Sequence, residues 1–399
     1  MQIAMTRSGE KIIDIGIACV TLFTTRIVMD FLAALLLEWQ TCFQYGLSFV
    51  QSFKNLKRFL DRRINFWPLR SATSLLGLLA ATIVALSSVN AQNTSALHLE
   101  KEILLPGVEG RIDHFSADVP GQRLFVAALE NGTVEVLDII KGERSAEIKG
   151  LSEPQGVYYS SQNGELYVAS GGDGTLRIYD GNSLKLRQTL EFGEDADNVR
   201  SDGRSGQILV GFGSGGLGLV DASGQKIGTI PLRSHPESFQ LEEEGSRIFV
   251  NVPKESAVAV VDRPKHTVIA KWGLDWTFAN YPMAFDEEDK RLFVGCRLPA
   301  RLVILNTSSG QVVSKSPVVG DADDVFFDSH QRLIYVIGGE GFIDVFRLRD
   351  PDHLDKVARV NSASGARTGL FVSVFNRLFV AAPHRGSQPA KVMFYEASK

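Results

Sequence analysis

Carboxylic acids and histidines recur just before each of seven copies of a short apolar motif. The position eleven residues before each motif is acidic in four of the seven copies. Its residues are Asp113, Gln155, Asp197, Glu237, Tyr281, Asp323 and Arg367. The following position holds His114, Gly156, Asn198, Ser238, Pro282, Asp324 and Thr368. In a closed repeat protein, residues at one phase of the repeat form a ring. We therefore expect these side chains to meet at one mouth of a central channel.

Such a ring suits a cation. His235 approaches the same mouth from the fourth repeat, and His384 and Arg385 from the seventh. Oxygen ligands favour Ca²⁺, whereas added imidazoles favour a transition metal. The candidate metal ligands are Asp197, Asp323, His114 and His235. The wider ligand-binding set is Asp113, His114, Asp197, Asn198, His235, Glu237, Asp323, Asp324, His384 and Arg385. No cofactor other than a divalent cation is indicated.

A purely structural interpretation of the same residues stays open. Asp and Asn often cap turns at the start of a strand. Neighbouring arginines would neutralise the acids without any ligand, and the sequence supplies Arg111, Arg200, Arg367 and Arg385. An anionic ligand held by these arginines is a further alternative. Clustered carboxylates in a narrow channel otherwise need a cation or raised pKa values.

The repeated motif is an apolar triplet with an aromatic residue at its centre in six of its seven copies. It reads Leu124-Phe125-Val126, Leu166-Tyr167-Val168, Ile208-Leu209-Val210, Ile248-Phe249-Val250, Leu292-Phe293-Val294, Ile334-Tyr335-Val336 and Leu378-Phe379-Val380. A repeat of about 40–45 residues made of short strands is typical of a β-propeller with one four-stranded sheet per blade. An Asp or Asn ends most of the third strands and should begin the turn that follows.

The last repeat lacks a fourth strand, because the chain ends soon after residues 391–396. An unpaired strand at 97–105 precedes the first repeat and can complete it. Such closure removes an exposed sheet edge. The sequence therefore predicts an all-β protein over residues 92–399, a seven-bladed propeller of four-stranded antiparallel blades closed by an N-terminal strand.

These motifs resemble the YVTN-repeat propellers, and more closely the YncE-like bacterial periplasmic proteins. The Gly171–Gly174 turn and the run 339–345 carry the resemblance together with the triplets. It implies a secreted or periplasmic propeller, and single-stranded DNA binding is one theme of the family. Propellers host many unrelated activities, so the resemblance specifies the fold better than the function.

The first 91 residues look different. A basic segment at 62–70, an apolar run to Val89 and a small-residue site before Gln92 form a secretory signal peptide at 62–91. Residues 1–61 are a leader of doubtful status, because such a segment should not precede a signal peptide. The preferred explanation is a gene start assigned too far upstream, with translation beginning nearer Arg62. A genuine membrane-associated leader is the alternative. We expect no membrane span in the mature domain, which we expect to be monomeric.

Composition restricts the function classes. The formal charge is −4 and the pI about 6.0, so no global basic field favours nucleic acid. Cys296 is the one cysteine of the propeller and should be a packed thiol. A scaffold that binds a small molecule or protein at the channel mouth fits best, and enzymatic activity is less expected. A metal-dependent hydrolase or lactonase, in which the cation polarises a carbonyl, and a single-stranded DNA-binding protein are the alternatives.

Overall fold

The computed structural model describes residues 96–398, which form seven four-stranded antiparallel sheets arranged as a β-propeller. Blades 1 to 3 consist of β2 (Phe115–Asp118), β3 (Arg123–Ala128), β4 (Thr133–Asp138), β5 (Glu143–Lys149), β6 (Pro154–Ser160), β7 (Glu165–Ser170), β8 (Thr175–Asp180), β9 (Leu186–Glu191), β10 (Val199–Ser201), β11 (Ile208–Phe212), β12 (Gly216–Val220) and β13 (Lys226–Pro231). Consecutive strands pair within each blade.

The other four blades follow the same order. Blades 4 to 6 consist of β14 (Phe239–Leu241), β15 (Arg247–Val252), β16 (Ala257–Asp262), β17 (Thr267–Gly273), β18 (Phe278–Asp286), β19 (Arg291–Leu298), β20 (Ala300–Asn306), β21 (Val312–Pro317), β22 (Ala322–Asp328), β23 (Leu333–Gly338), β24 (Phe342–Asp350) and β25 (His353–Asn361). Blade 7 joins β26 (Gly369–Val372), β27 (Arg377–Ala382) and β28 (Lys391–Ala397) to β1 (Leu97–Leu104). Two single-turn 3₁₀ helices, Pro253–Glu255 and Ser373–Phe375, complete the described elements.

The predicted ring closure is confirmed. Strand β1 pairs antiparallel with β28, from Leu97 opposite Ala397 to Leu104 opposite Lys391. Its inward side chains Leu97 and Ile103 are almost fully buried. The N-terminal strand therefore contributes to the core and also covers the edge of the last blade.

The triplet motifs lie in the second strand of each blade and are buried on both faces. Phe125, at the centre of the first triplet, stacks on Tyr159 of the next blade with ring centroids 5.4 Å apart. Leu124 and Val126 point to the other face and pack in the cluster shared with blade 7. Each blade is thus covered by a neighbour on either side, which explains why the triplets are continuously apolar rather than alternating.

Arginines just before several triplets link adjacent blades at their outer turns. Arg123 donates a hydrogen bond to the Gly181 carbonyl of blade 2 at 2.9 Å. Arg291 binds the Asp352 carboxylate of blade 6 at 2.7 Å. These bonds satisfy polar groups that blade packing removes from water, so they stabilise the register between blades.

The local sequence predictions are confirmed. Asp138 at the end of β4 accepts hydrogen bonds from the backbone N–H groups of Ile140 and Lys141, at 3.0 and 2.8 Å, and so begins the predicted turn. Cys296 is fully buried, and burial raises the pKa of its thiol to about 11. No helix within residues 96–398 is long and apolar enough to cross a bilayer. The predicted leader and signal peptide lie outside the described residues.

Truncation of Ile103 tests whether β1 is part of the core. Its side chain is 2% exposed, whereas that of the adjacent Leu104 is 54% exposed. We expect Ile103→Ala to lower the free energy of unfolding by about 2–5 kcal/mol, because it leaves a cavity. Leu104→Ala is the matched control and should change it by about 0.5 kcal/mol or less. Urea unfolding followed by circular dichroism measures both, and equal effects of the two variants would contradict this role of β1.

Candidate functional site

In four blades the loops that enter the inner strands share one backbone geometry, which places their side chains at equivalent positions. In blade 1 the carbonyl of His114 accepts a hydrogen bond from the Ala127 N–H at 3.0 Å. The carbonyls of Asn198, Ser238 and Thr368 accept the corresponding bonds from Gly211, Asn251 and Ala381. The repeat phase inferred from sequence therefore holds in these blades, including the seventh.

Three potential metal ligands converge at this mouth. One ligand atom from each of Asp197, His235 and Glu237 lies within 4.8 Å of the others. Asp197 comes from the loop before β10, and the other two from the loop before β14. His114 approaches from blade 1, with its Nε2 4.0 Å from Asp197 Oδ1. We call His114, Asp197, His235 and Glu237 the histidine side of the mouth.

His235 is oriented as a metal ligand would be. Its Nδ1 lies 2.8 Å from the Gly213 carbonyl oxygen, and because a carbonyl can only accept, Nδ1 carries the proton. This bond leaves Nε2 facing Asp197 Oδ2 at 3.8 Å. Metal-binding histidines commonly donate one ring N–H to such an acceptor while the other nitrogen binds the ion.

Two buried oxygen atoms on this side lack protein donors. Asp197 is 5% exposed and Asn198 is 1% exposed. Within the part of the chain that the structure describes, neither Asp197 Oδ1 nor Asn198 Oδ1 has a hydrogen-bond partner. Leaving a buried carboxylate oxygen unsatisfied is costly. These atoms are therefore suited to receive a ligand from outside the chain.

Asp323 lies in a different environment, which we call the arginine side. Arg297 of blade 5 binds its Oδ1 at 2.5 Å, and Arg367 of blade 7 approaches its Oδ2 to 2.9 Å. Arg111 of blade 1 is 3.8 Å from the same carboxylate. Arg297 also lies over the Tyr281 ring, 4.0 Å from its centroid. Burial raises the pKa of Asp323, and the three arginines oppose that effect.

The pKa values of three groups on the histidine side are raised above their ordinary values. Burial disfavours the imidazolium of His114, but the Asp113 and Asp324 carboxylates outweigh it and raise the pKa to about 10. Burial also opposes charge on His235, yet Asp197 and the Gly213 carbonyl raise its pKa to about 9. Burial, reinforced by the Asp197 charge, raises the pKa of Glu237 to about 8. The group therefore holds protons at neutral pH in place of another cation.

Asp113 lies between the two sides. Its carboxylate accepts a hydrogen bond from Arg111 at 2.9 Å and lies 3.7 Å from His114 Nε2. Burial nevertheless raises the pKa of Asp113 to about 6, against these two positive neighbours. Its Oδ1 has no hydrogen-bond partner among residues 96–398.

The remaining predicted residues take varied positions. Asp324 accepts a hydrogen bond from the Gly369 N–H at 2.8 Å and faces His114. His384 pairs instead with the exposed Glu109, at 2.5 Å. Arg385 is exposed, and its guanidinium contacts Ser364 Oγ at 3.5 Å. The structure thus brings eight of the ten predicted residues together and leaves His384 and Arg385 outside the buried group.

Sequence reasoning missed Arg297. The sequence nevertheless singles out Arg297, because the other six repeats have an uncharged residue at the same position, five residues after the first residue of the triplet. The equivalent residues are Leu129, Gly171, Gly213, Pro253, Gly339 and Pro383. A single arginine at a position otherwise occupied by turn residues indicates a specific partner, which is Asp323.

Comparison with known proteins supports the fold. No protein-family model matches the chain, and a search of curated proteins found no match. Among solved structures, Kuenenia stuttgartiensis hydrazine synthase is 13% identical with a TM-score of 0.60, over 69% of this chain and 95% of that chain. A chain of the mitotic checkpoint complex is 16% identical with a TM-score of 0.64, over 75% and 92%. What they share with this chain is the fold.

The raised pKa values predict a pH-dependent stability. A histidine with a raised pKa stabilises the fold fully below about pH 6.5, and the effect is lost as pH rises through its folded pKa. In chelator, the free energy of unfolding should therefore fall between pH 7 and 10, and His114→Gln should flatten the slope by up to about 1.4 kcal/mol per pH unit. Urea unfolding at a series of pH values measures this.

The exposed His98 on β1 provides the matched control for that experiment. His98→Gln should keep the wild-type pH dependence. If His114→Gln and His98→Gln have the same slope as the wild type, His114 is not protonated in the folded protein above its ordinary range.

Proposed function

We propose that this chain is an exported, YncE-like propeller that binds its ligand at the channel mouth through one divalent transition-metal ion. The observation that carries the proposal is the convergence of Asp197, His235 and Glu237, with a buried Asp197 oxygen that lacks a partner among the described residues. The propeller fold is compatible with such a binding scaffold.

The ligand types favour a transition metal over Ca²⁺. One imidazole and two carboxylates are available, and His114 is the nearest source of a second imidazole. Imidazole ligands suit Zn²⁺ and its neighbours, whereas Ca²⁺ prefers oxygen atoms alone. Ligand atoms around tetrahedral Zn²⁺ are about 3.3 Å apart, so modest side-chain rotation would bring the three residues into range. Asp323 is left out of this set because three arginines already surround it.

Metal binding to this group would displace protons. His235 and Glu237 both have raised pKa values and must lose their protons to become ligands. The bound ion would then supply the positive charge that the protons supply without it. Its open positions would face the channel mouth and be available to a ligand.

Metal content tests the proposal directly. We expect protein purified from cells expressing the full chain, without chelator, to contain close to one equivalent of a transition metal by inductively coupled plasma mass spectrometry. Added Zn²⁺ should raise the melting temperature of chelator-treated protein, and more strongly at pH 8 than at pH 6. The double variant Asp197→Asn/His235→Gln should lose the bound metal and the melting shift, because two of its ligands are removed.

Asp355→Asn/His353→Gln, on the outer strand β25, is the matched control and should retain both properties. Metal-free wild-type protein whose melting temperature does not respond to Zn²⁺, Mn²⁺ or Ca²⁺ would refute the metal site. The mouth would then be a network of internal ion pairs.

Export is supported by the signal-peptide pattern at 62–91. In a Gram-negative host, N-terminal sequencing of the periplasmic protein should give Gln92 as the first residue. Leu78→Arg should keep the chain in the cytoplasm, because it places a charge in the apolar run. Deletion of residues 2–61 should leave export unchanged. A cytoplasmic wild-type protein, or export that requires residues 2–61, would contradict this assignment.

A further inference from the structure

A cavity of about 330 Å³ lies in the central channel beneath the mouth. Six of the seven inner strands contribute to its wall. Most of the lining is apolar and includes Phe115, Val157, Phe326 and Leu370. Small-molecule sites are commonly cavities of this size, largely apolar, with a few polar groups that orient the ligand.

Arg200 is the one arginine or lysine in the lining of this cavity. Within residues 96–398 its one side-chain hydrogen bond goes to its neighbour, the Val199 carbonyl, at 3.0 Å. Its guanidinium also lies 5.8 Å from the centre of the Phe239 ring. Burial lowers the pKa of Arg200, with the more distant charges of Asp324 and Asp197 opposing that effect. The guanidinium is therefore poorly compensated by the protein.

The other arginines near the channel differ from Arg200. Arg111 and Arg297 each contact a carboxylate in the mouth, at 2.9 and 2.5 Å. Arg263 of blade 4 binds Asp202, which directly follows β10, at 3.0 Å. A guanidinium has five N–H donors in a planar arrangement that matches a carboxylate. Arg200 therefore retains donor capacity that the described residues do not use.

A second cavity of about 620 Å³ adjoins the first. Tyr158, Arg200 and Gln240 line both, so the guanidinium lies where the two meet. The second cavity is lined by charges of both signs, which include Asp202, Glu242, Arg204 and Arg263, and Arg263 already binds Asp202. These charged walls do not suit an apolar group, which finds matching walls in the first cavity.

We propose that the channel binds a small organic monocarboxylate, with its carboxylate on Arg200 and its apolar body among Phe115, Phe326 and Leu370. A single negative charge is favoured because Asp324 also lines the cavity and would repel a second one. The site uses none of the residues of the proposed metal centre other than His114 at its upper end. It goes beyond the proposed function, and the two can fail independently.

The probes are benzoate and hexanoate, compared with their neutral amides, benzamide and hexanamide. Isothermal titration calorimetry is performed on protein from the full chain in the presence of chelator, so that no mouth metal can hold the carboxylate. We expect saturable binding of at least one acid, with the matching amide at least tenfold weaker.

Arg200→Gln should weaken binding of the acid at least tenfold and bring it to the level of the amide. Arg349→Gln changes an exposed arginine on β24 and is the matched control, with wild-type binding expected. Ala117→Leu tests the cavity without changing any charge. It should abolish binding of acid and amide alike while the circular dichroism spectrum stays native.

Three results would overturn the proposal. The first is that neither acid binds, or that acid and amide bind equally. The second is that folded Arg200→Gln binds the acid with wild-type affinity. The third is that inorganic phosphate binds at Arg200 more tightly than either carboxylate, which would assign the cavity to a multiply charged anion.

Discussion

The pairing of β1 with β28 is the contact on which the rest of the molecule depends. It joins residues from the two ends of the propeller and thereby sets the ring at seven blades. With the ring closed, Thr368 of blade 7 donates a hydrogen bond to the Ile112 carbonyl at 3.0 Å. That contact places Arg111, Asp113 and His114 beside residues of blades 6 and 3. Without closure, Arg111 would not approach Asp323 and His114 would not approach Asp324.

Charge at the mouth is balanced in two ways. On the arginine side, guanidinium groups from three blades surround Asp323 and oppose the effect of burial, which raises its pKa. On the histidine side, the acids face imidazoles, whose charge depends on pH. Only the second arrangement can exchange its positive charge for an external cation. The division thus separates a structural network from an adaptable one within a single ring.

The channel beneath the mouth contains a charged side chain in mostly apolar surroundings. Its walls are mostly apolar because the inner strands present side chains such as Phe115 and Phe326 to the cavity. Arg200 interrupts that surface without a carboxylate partner among the described residues. The protein therefore has two regions at which internal compensation is incomplete, one suited to a cation and the other to an anion. Both lie on the channel axis, where loops and inner strands of several blades meet.

Much of the fold could be predicted from the sequence, because propeller blades are repeated and their contacts are mostly local or between neighbours. The triplets, the turn-forming Asp138 and the closing strand all have the structure that their patterns indicate. Repeat phase also placed seven of the predicted site residues in one mouth, and His235 lies two residues before one of them. The positions of His384 and Arg385 were less well predicted, because loops between the second and third strands vary in length and direction.

The sequence by itself thus determined the number of blades, the position of the strands and the height of each polar residue along the channel. Only the tertiary structure decided which charges meet. The arginines reach Asp323, the histidines face Asp197, and Arg200 remains without an acidic partner among residues 96–398. The position of a residue within the repeat does not determine these pairings. They depend on the length and direction of side chains that meet across the ring although they lie far apart in the chain.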